Sequence, residues 1–314
     1  MPDPVAASHT LEKLLSGEKK GVFPPEVIAG IWSNAYKGSI MQTLAQTRPV
    51  TLSGAVLPFP MGHATAGVVS EGAAKPTVNL NFDVRKIVPI KVAAGVVLSE
   101  EVIRHSPVAA YLDLQQQLSD SISRAMDNSI LHGKDAITGN VLAGQTPIIS
   151  ANANQVVIDY ADTKPDALLK KALEGVDAVE AANEDFEIDA FVARKNVRTK
   201  ILGVSDTLGR PLFQASANLA DPVGMFLGLP IHFTSAVGGY EKAKIEETDA
   251  VMVGGSFKNN LVIGNVLDIE MRQAQEYGFG HDLFAHNERA FLAEAIFGWC
   301  IRDPKAFAVF KKKP

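Results

Sequence analysis

The sequence predicts an α+β fold on three observations. β-branched alternation fills residues 46–98, one amphipathic stretch at 106–133 is long enough for about seven helical turns, and a period-two apolar run closes the chain at 291–301. Neither an internal repeat nor a linker long enough to separate independent domains interrupts these pieces, so they are expected to share a mixed core. The balance of 46% hydrophobic against 21% charged residues in 314 is that of an ordered globular chain, which allows the pattern to be read literally.

The elements follow in order. "TLEKLLSGEKKG" is expected to form a short helix. "PPEVIAGIWSNAYKGS" (24–39) reads as another, with prolines at its start, Val27, Ile28, Ile31 and Trp32 at three-to-four spacing, and Gly38 at its end. "PVTLSGAVLPFP" and "TVNLNFDVRKIVPIKVAAGVVLS" read as strands around a Gly-Ala-rich tip, with Val78, Leu80, Phe82 and Val84 on one face. Such a long hairpin is expected to project and to pack on something other than its own domain.

The long helix is expected over 107–132. Ser106 is the N-cap, Pro107 suits the first helical position and Gly133 the left-handed stop. Val108, Tyr111, Leu112, Leu118, Ile122, Ala125, Met126 and Ile130 form its apolar stripe, and it should run roughly 40 Å. "GKDAITGNVLAGQTP" is a glycine-punctuated loop. An amphipathic helix then places Leu168, Leu169, Ala172, Leu173, Val176 and Val179 on one side. "IDAFVARKNVRTKIL" reads as a strand entering a helix. "DTLGRPLFQ", "GMFLGLPIHFT" and "AVMVGGSFKNNLVIGNVLDIEMR" alternate turns with short strands, with Gly228 and Pro230 in a structural turn. In the closing run Phe291, Ala293, Ala295, Phe297, Trp299 and Ile301 share a face.

Charge and motifs exclude several functions. Thirty basic against 35 acidic residues argue against tight nucleic-acid binding, and Lys19-Lys20 and Lys311–Lys313 read as solvated. The lone Cys300 excludes an intrachain disulfide, and no run of about 18 apolar residues or signal-type N-terminus suggests a membrane partner. No phosphate-loop, dinucleotide, nucleophile-elbow or H-E-x-x-H motif occurs. His281 and His286 are spaced wrongly for one helical face, and "NEDFEID" (183–189) is expected to be an exposed acidic turn. No metal or cofactor is expected.

The succession is more specific than any part of it: an N-terminal arm, a long hairpin tipped E-G-A-A-K-P, a spine helix, a turn "GKDAITGN", a helical region, a G-L-P turn, "VGGSFKNNLVIG" and a final strand pair. It resembles the major capsid protein of tailed phages, the Hong Kong 97 type, over about residues 25–312. The resemblance implies an N-terminal arm (1–45), an extended hairpin loop (46–98), a peripheral domain carrying the spine helix (99–150), an axial domain (151–248) and a return to the peripheral domain (249–314). It implies a head protein that self-assembles as pentamers and hexamers into an icosahedral shell around double-stranded DNA, formed in the host cytoplasm and retained in the virion. The implied partners are other copies of the chain, a portal, a decoration protein, and DNA held by weak contact. Some members begin with a long scaffolding domain. Here only a short stretch precedes the arm, so a separate scaffolding protein is expected.

The resemblance also assigns residues. Glu71, Lys75 and Pro76 at the hairpin tip become intersubunit contacts. In the family's founding member, a lysine of this loop forms an isopeptide bond with an asparagine of another subunit, assisted by a glutamate. Those positions fall on Lys75, Asn287 and Glu294. The reaction needs a neutral amine and a carboxylate to take its proton. Glu288 and Arg289 beside Asn287 make that site charged, so a simple charge contact by Lys75 is the preferred expectation. Two alternatives stay open: an encapsulin-type compartment enclosing a cargo enzyme, and an α+β enzyme binding phosphate in the loop Gly133–Gly144.

Overall fold

Two larger sheets and a long helix packed on one of them organise the chain. The structure is a computed structural model that describes residues 38–61, 68–70, 75, 81–105, 107–150, 152–158, 167–183, 185–203, 223–239 and 249–313. The helices expected before residue 38, "DTLGRPLFQ", and the residues Ser106, Glu71 and Pro76 lie outside these.

A short helix α1 (Ile40–Leu44) leads into β1 (Gln46–Pro49). β2 (Ala55–Met61) and β3 (Asn81–Ile87) pair as the antiparallel hairpin, and β4 (Ile90–Ser99) runs into the short helix α2 (Glu100–His105). The long helix α3 (Pro107–His132) has the predicted bounds. Leu118, Ile122, Met126 and Ile130 of its stripe are fully buried, and Ala125 is half-buried. Gly133 stops it at φ 65°, donating to the Ser129 carbonyl at 2.8 Å. Its last side chain, His132, places Nε2 2.7 Å from the carbonyl of Ala236, which ties the helix end to a 3-10 turn at Ala236–Gly238.

Beyond α3 come β5 (Asn154–Ile158), α4 (Ala167–Ala182), β6 (Ala190–Ala193), α5 (Lys195–Leu202), β7 (Val223–Phe226) and β8 (Leu229–Phe233). The chain closes with β9 (Ala250–Gly255), α6 (Phe257–Asn260), β10 (Leu261–Ala274), two-residue strands β11 (Tyr277–Gly278) and β12 (His281–Asp282), β13 (Glu288–Ile301) and β14 (Phe307–Lys312). Residues 227–228 make the β7–β8 turn, both at positive φ (Leu227 54°, Gly228 82°), and Pro230 sits in β8 opposite Met225.

One sheet has the order β1-β10-β13-β4 and the other β5-β14-β9-β6-β8-β7. β9 and β14, from the segment expected to rejoin the peripheral region, are thus central strands of the sheet that also contains β5 to β8. The inward row of β13 is as predicted: Phe291, Ala293, Ala295, Phe297, Trp299 and Ile301 are all buried, and the Trp299 indole N–H donates to the Thr146 carbonyl at 2.9 Å. α4 packs on β5 and β14, where a Cβ on Gly175 would collide with the Phe310 ring. One residue of its predicted face differs: Leu173 is 49% exposed, because the stripe assumed for this helix is wider than the surface that receives it.

Candidate functional site

Strict alternation divides the β2–β3 hairpin into two unlike faces. Cross-strand partners share a face, so Ala55/Ile87, Leu57/Arg85 and Phe59/Asp83 point one way, and Val56/Lys86, Pro58/Val84 and Pro60/Phe82 the other. The first face turns toward the body. Ile87 is fully buried with Val262 and Cys300, Leu57 and Phe59 pack against that cluster, and the Arg302 guanidinium lies over the Phe59 ring, 4.7 Å from its centroid. This corrects the expectation of a hairpin with no partner in its own chain: its base is anchored. Gly264 and Gly298, opposite each other in β10 and β13, make the anchoring possible. A Cβ on Gly298 would lie 2.6 Å from the Val88 carbonyl and 2.8 Å from Ile87, and one on Gly264 would strike Val50.

The second face is open and, apart from the exposed Lys86, apolar. Val56, Phe82 and Val84 are 61%, 60% and 57% exposed, and Pro58 and Pro60 are exposed between them. Val78 and Leu80, expected to continue this row, lie outside the described residues. A two-stranded ribbon is marginal without a covered face, and this one is covered on one side only. Toward the tip, Val68 and Lys75 are exposed.

A second exposed group sits at the far end of the β10–β13 ribbon. Tyr277, Phe279 and Phe284 are exposed there over the buried Leu283. Phe279 has φ 51°, and its ring fills the space above Gly95 of β4. Asn287 follows, also exposed and at positive φ (53°), with its carbonyl accepting from Glu100 N–H at 2.7 Å. Arg289 grips Glu100 Oε1 through Nε and Nη2 at 3.0 and 2.9 Å, while Arg104 reaches Oε2 at 2.9 Å. The Arg289 hydrogen bond foremost holds the Glu100 carboxyl below its ordinary range. Glu294 lies on β13, paired with Lys91 of β4 at 2.7 Å. Asn287 and Glu294 lie seven positions apart along extended chain, roughly 23 Å, so one copy of the chain does not bring the two side chains together.

The first half of the glycine loop after α3 closes around its own carboxylate. Asp135 accepts from the amides of Ile137 (3.3 Å) and Thr138 (3.1 Å) and from the Thr138 hydroxyl (2.5 Å). Burial pushes its carboxyl up, but the Thr138 hydroxyl and the loop amides outweigh this and hold it below its ordinary range. A carboxylate already occupies the amides that a phosphate would need. Among the described residues no three His, Cys, Asp or Glu side chains come together as a metal cage, and no helix is long and apolar enough to cross a membrane.

The profile of the phage capsid family matches residues 20–312. The chain belongs to the phage capsid family. A probable major capsid protein of Mycobacterium phage L5 is 28% identical over 306 residues, spanning 92% of this chain and 88% of the relative. Among solved structures, a chain of Gordonia phage Cozz superposes with TM-score 0.71 at 27% identity, covering 88% of this chain and 87% of that one. The capsid of an empty GTA particle shares the fold at TM-score 0.61 and 17% identity, each chain covered in full. Among the described residues, the outer face of the hairpin and the ribbon tip both leave large apolar side chains exposed.

Sequence reasoning missed two carboxylates that turn inward. Asp189, placed in an exposed acidic turn, is half-buried and accepts from the amides of Phe257 (3.0 Å) and Lys258 (2.7 Å), capping α6. The alternation of buried Phe186 and Ile188 with exposed Asp185 and Glu187 was the available signal that this turn is packed. Asp127, with Ser119 and Ser123, forms a buried polar row at spacing four beside the apolar stripe of α3.

Proposed function

We propose that this phage major capsid protein is of the Hong Kong 97 type and closes an icosahedral shell of pentamers and hexamers by laying the outer face of its hairpin on a neighbouring copy. The observation that carries this is the split hairpin: its inner face is anchored on its own chain, and its outer row Val56, Phe82 and Val84 is left to solvent. A patch that meets a different patch on an identical chain generates rings when the rotation closes. The six-stranded sheet with α4 and α5 is the axial region around the capsomer centre. The four-stranded sheet with α3 is the peripheral region, and residues before 46 form the arm. The shell encloses double-stranded DNA through weak contact, as a net charge of −5 suits. A separate scaffolding protein, a portal and a decoration protein complete the assembly, which forms in the host cytoplasm.

Lys75, with Glu71 and Pro76, makes a non-covalent contact with the next copy. Glu294 already neutralises Lys91, and Asn287 stands in an exposed, charged turn, so neither is poised for isopeptide chemistry. Mature particles boiled in detergent are expected to run as monomer. A ladder of multimers abolished by Lys75→Arg and Asn287→Asp would reverse this assignment and make Glu294 the base. For the shell itself, light scattering of the full chain expressed with a scaffolding protein should show large particles. Monomers and dimers alone would overturn it.

A further inference from the structure

The buried polar row of α3 meets the N-terminal segment at one point. Ser39 Oγ donates to Asp127 Oδ1 at 2.7 Å, the Met41 N–H to the same oxygen at 3.1 Å, and the Ile40 N–H to Oδ2 at 3.3 Å. The Ser39 hydroxyl in turn accepts from Gln42 N–H at 3.3 Å. One turn earlier on the helix, Gly38 crosses so close to Ser123 that a Cβ would lie 2.8 Å from its hydroxyl. Residues 38–42 are therefore seated on α3 by a carboxylate that is itself 4% exposed.

Among the described residues, all of its partners are neutral. α1 carries no charged residue. On the other elements packed against α3, Lys91 of β4 is paired with Glu294 of β13, and Glu100 of α2 with Arg104 and Arg289. Asp127 forms no ion pair with these, nor with Arg124 three residues before it on α3; its oxygens meet the Ser39, Ile40 and Met41 donors. A buried anion met only by a hydroxyl and two amides is under-compensated.

We propose that Asp127 is a proton-operated latch: it holds residues 38–44 on the spine helix firmly when its carboxyl is neutral and loosely when it is ionised. Burial pushes the carboxyl up to about 6, against an ordinary 3.8, with the Ser39, Met41 and Ile40 donors pulling the other way. The seated state thus binds the proton more tightly than the released state, so seating is strongest below pH 4 and is lost progressively as pH rises through 6. From pH 5 to 7.5 the seated population should fall about tenfold relative to the released one, because at pH 5 the seated carboxyl is still protonated and the released one is not. This holds whatever the chain assembles into.

Hydrogen exchange of the full chain, corrected for intrinsic rates, tests it at the amides of Ile40 to Thr43. Their protection should fall about tenfold between pH 5 and 7.5, while amides of α4 stay level. Asp127→Asn should give a flat profile. Ser39→Ala removes a donor to the anion, so its protection should fall further over the same range. A flat wild-type profile, or the same fall in Asp127→Asn, overturns the latch. Should Asp127→Asn not fold, a Ser39→Ala profile identical to wild type overturns it equally.

Discussion

Replacing Phe82 and Val84 together by Asp should leave the subunit folded and disable its assembly. Both side chains are more than half exposed, at 60% and 57%, and neither belongs to a buried cluster of the chain. Surface changes of this kind shift stability by within about 0.5 kcal/mol. Fully burying a Phe or Val side chain gains about 1.5–3 kcal/mol, so the exposed portions have roughly 1–1.5 kcal/mol each to offer a neighbour. Losing both removes about 2–3 kcal/mol per copy, which raises the critical concentration for assembly about 30- to 150-fold. Burying two carboxylates against an apolar partner would add to this. The assay is light scattering against subunit concentration, with circular dichroism and a thermal melt confirming the fold. Particles forming at the wild-type concentration would refute the reasoning. So would a collapse of the monomer's melting temperature, which would mean that the outer face supports its own chain.

Interior packing sets three further outcomes. Gly133→Val forces a β-branched residue to φ 65° and brings its Cβ within 3.2 Å of the Pro147 ring, so it should cost on the order of 1 kcal/mol or more. Chemical denaturation would measure this, and an unchanged midpoint would count against the strain. Burial pushes the Cys300 thiol up to about 11, so a thiol reagent at pH 8 should leave the native chain unlabelled and modify one site per chain in denaturant. Rapid native labelling would show that the hairpin base opens. Gly298→Val should be among the most damaging single changes, because its Cβ meets the backbone carbonyl of Val88, which cannot rotate away. Loss of soluble, folded protein on expression is the expected readout, and a wild-type melt would contradict the close approach.

How much of the fold was legible depended on how local the cause is. Helix α3 was readable to the residue because Pro107, the apolar stripe and Gly133 act within a few turns of one another. The β13 face was readable because its first half, buried on one side only, writes its period directly into the sequence. Sheet membership was not. β14 pairs in parallel with β5, and β1 with β10, across more than 150 residues, and no local pattern encodes such pairings. The hairpin misled for a related reason. Its inner face mixes Leu57 and Phe59 with Asp83 and Arg85, and only the cluster of Ile87, Val262 and Cys300, brought together from distant segments, shows that this mixed face turns inward. Asp127 and Asp189 look like surface residues until the chain segments whose amides they accept are placed beside them.

Whether the outer face of the hairpin rests on another copy of the chain is decided most directly by cryo-electron microscopy of assembled shells. Density for Val56, Phe82 and Val84 should lie against an adjacent subunit, with Ile87 still buried on its own. Shells in which that face points to solvent, or folds back on its own subunit, would contradict it.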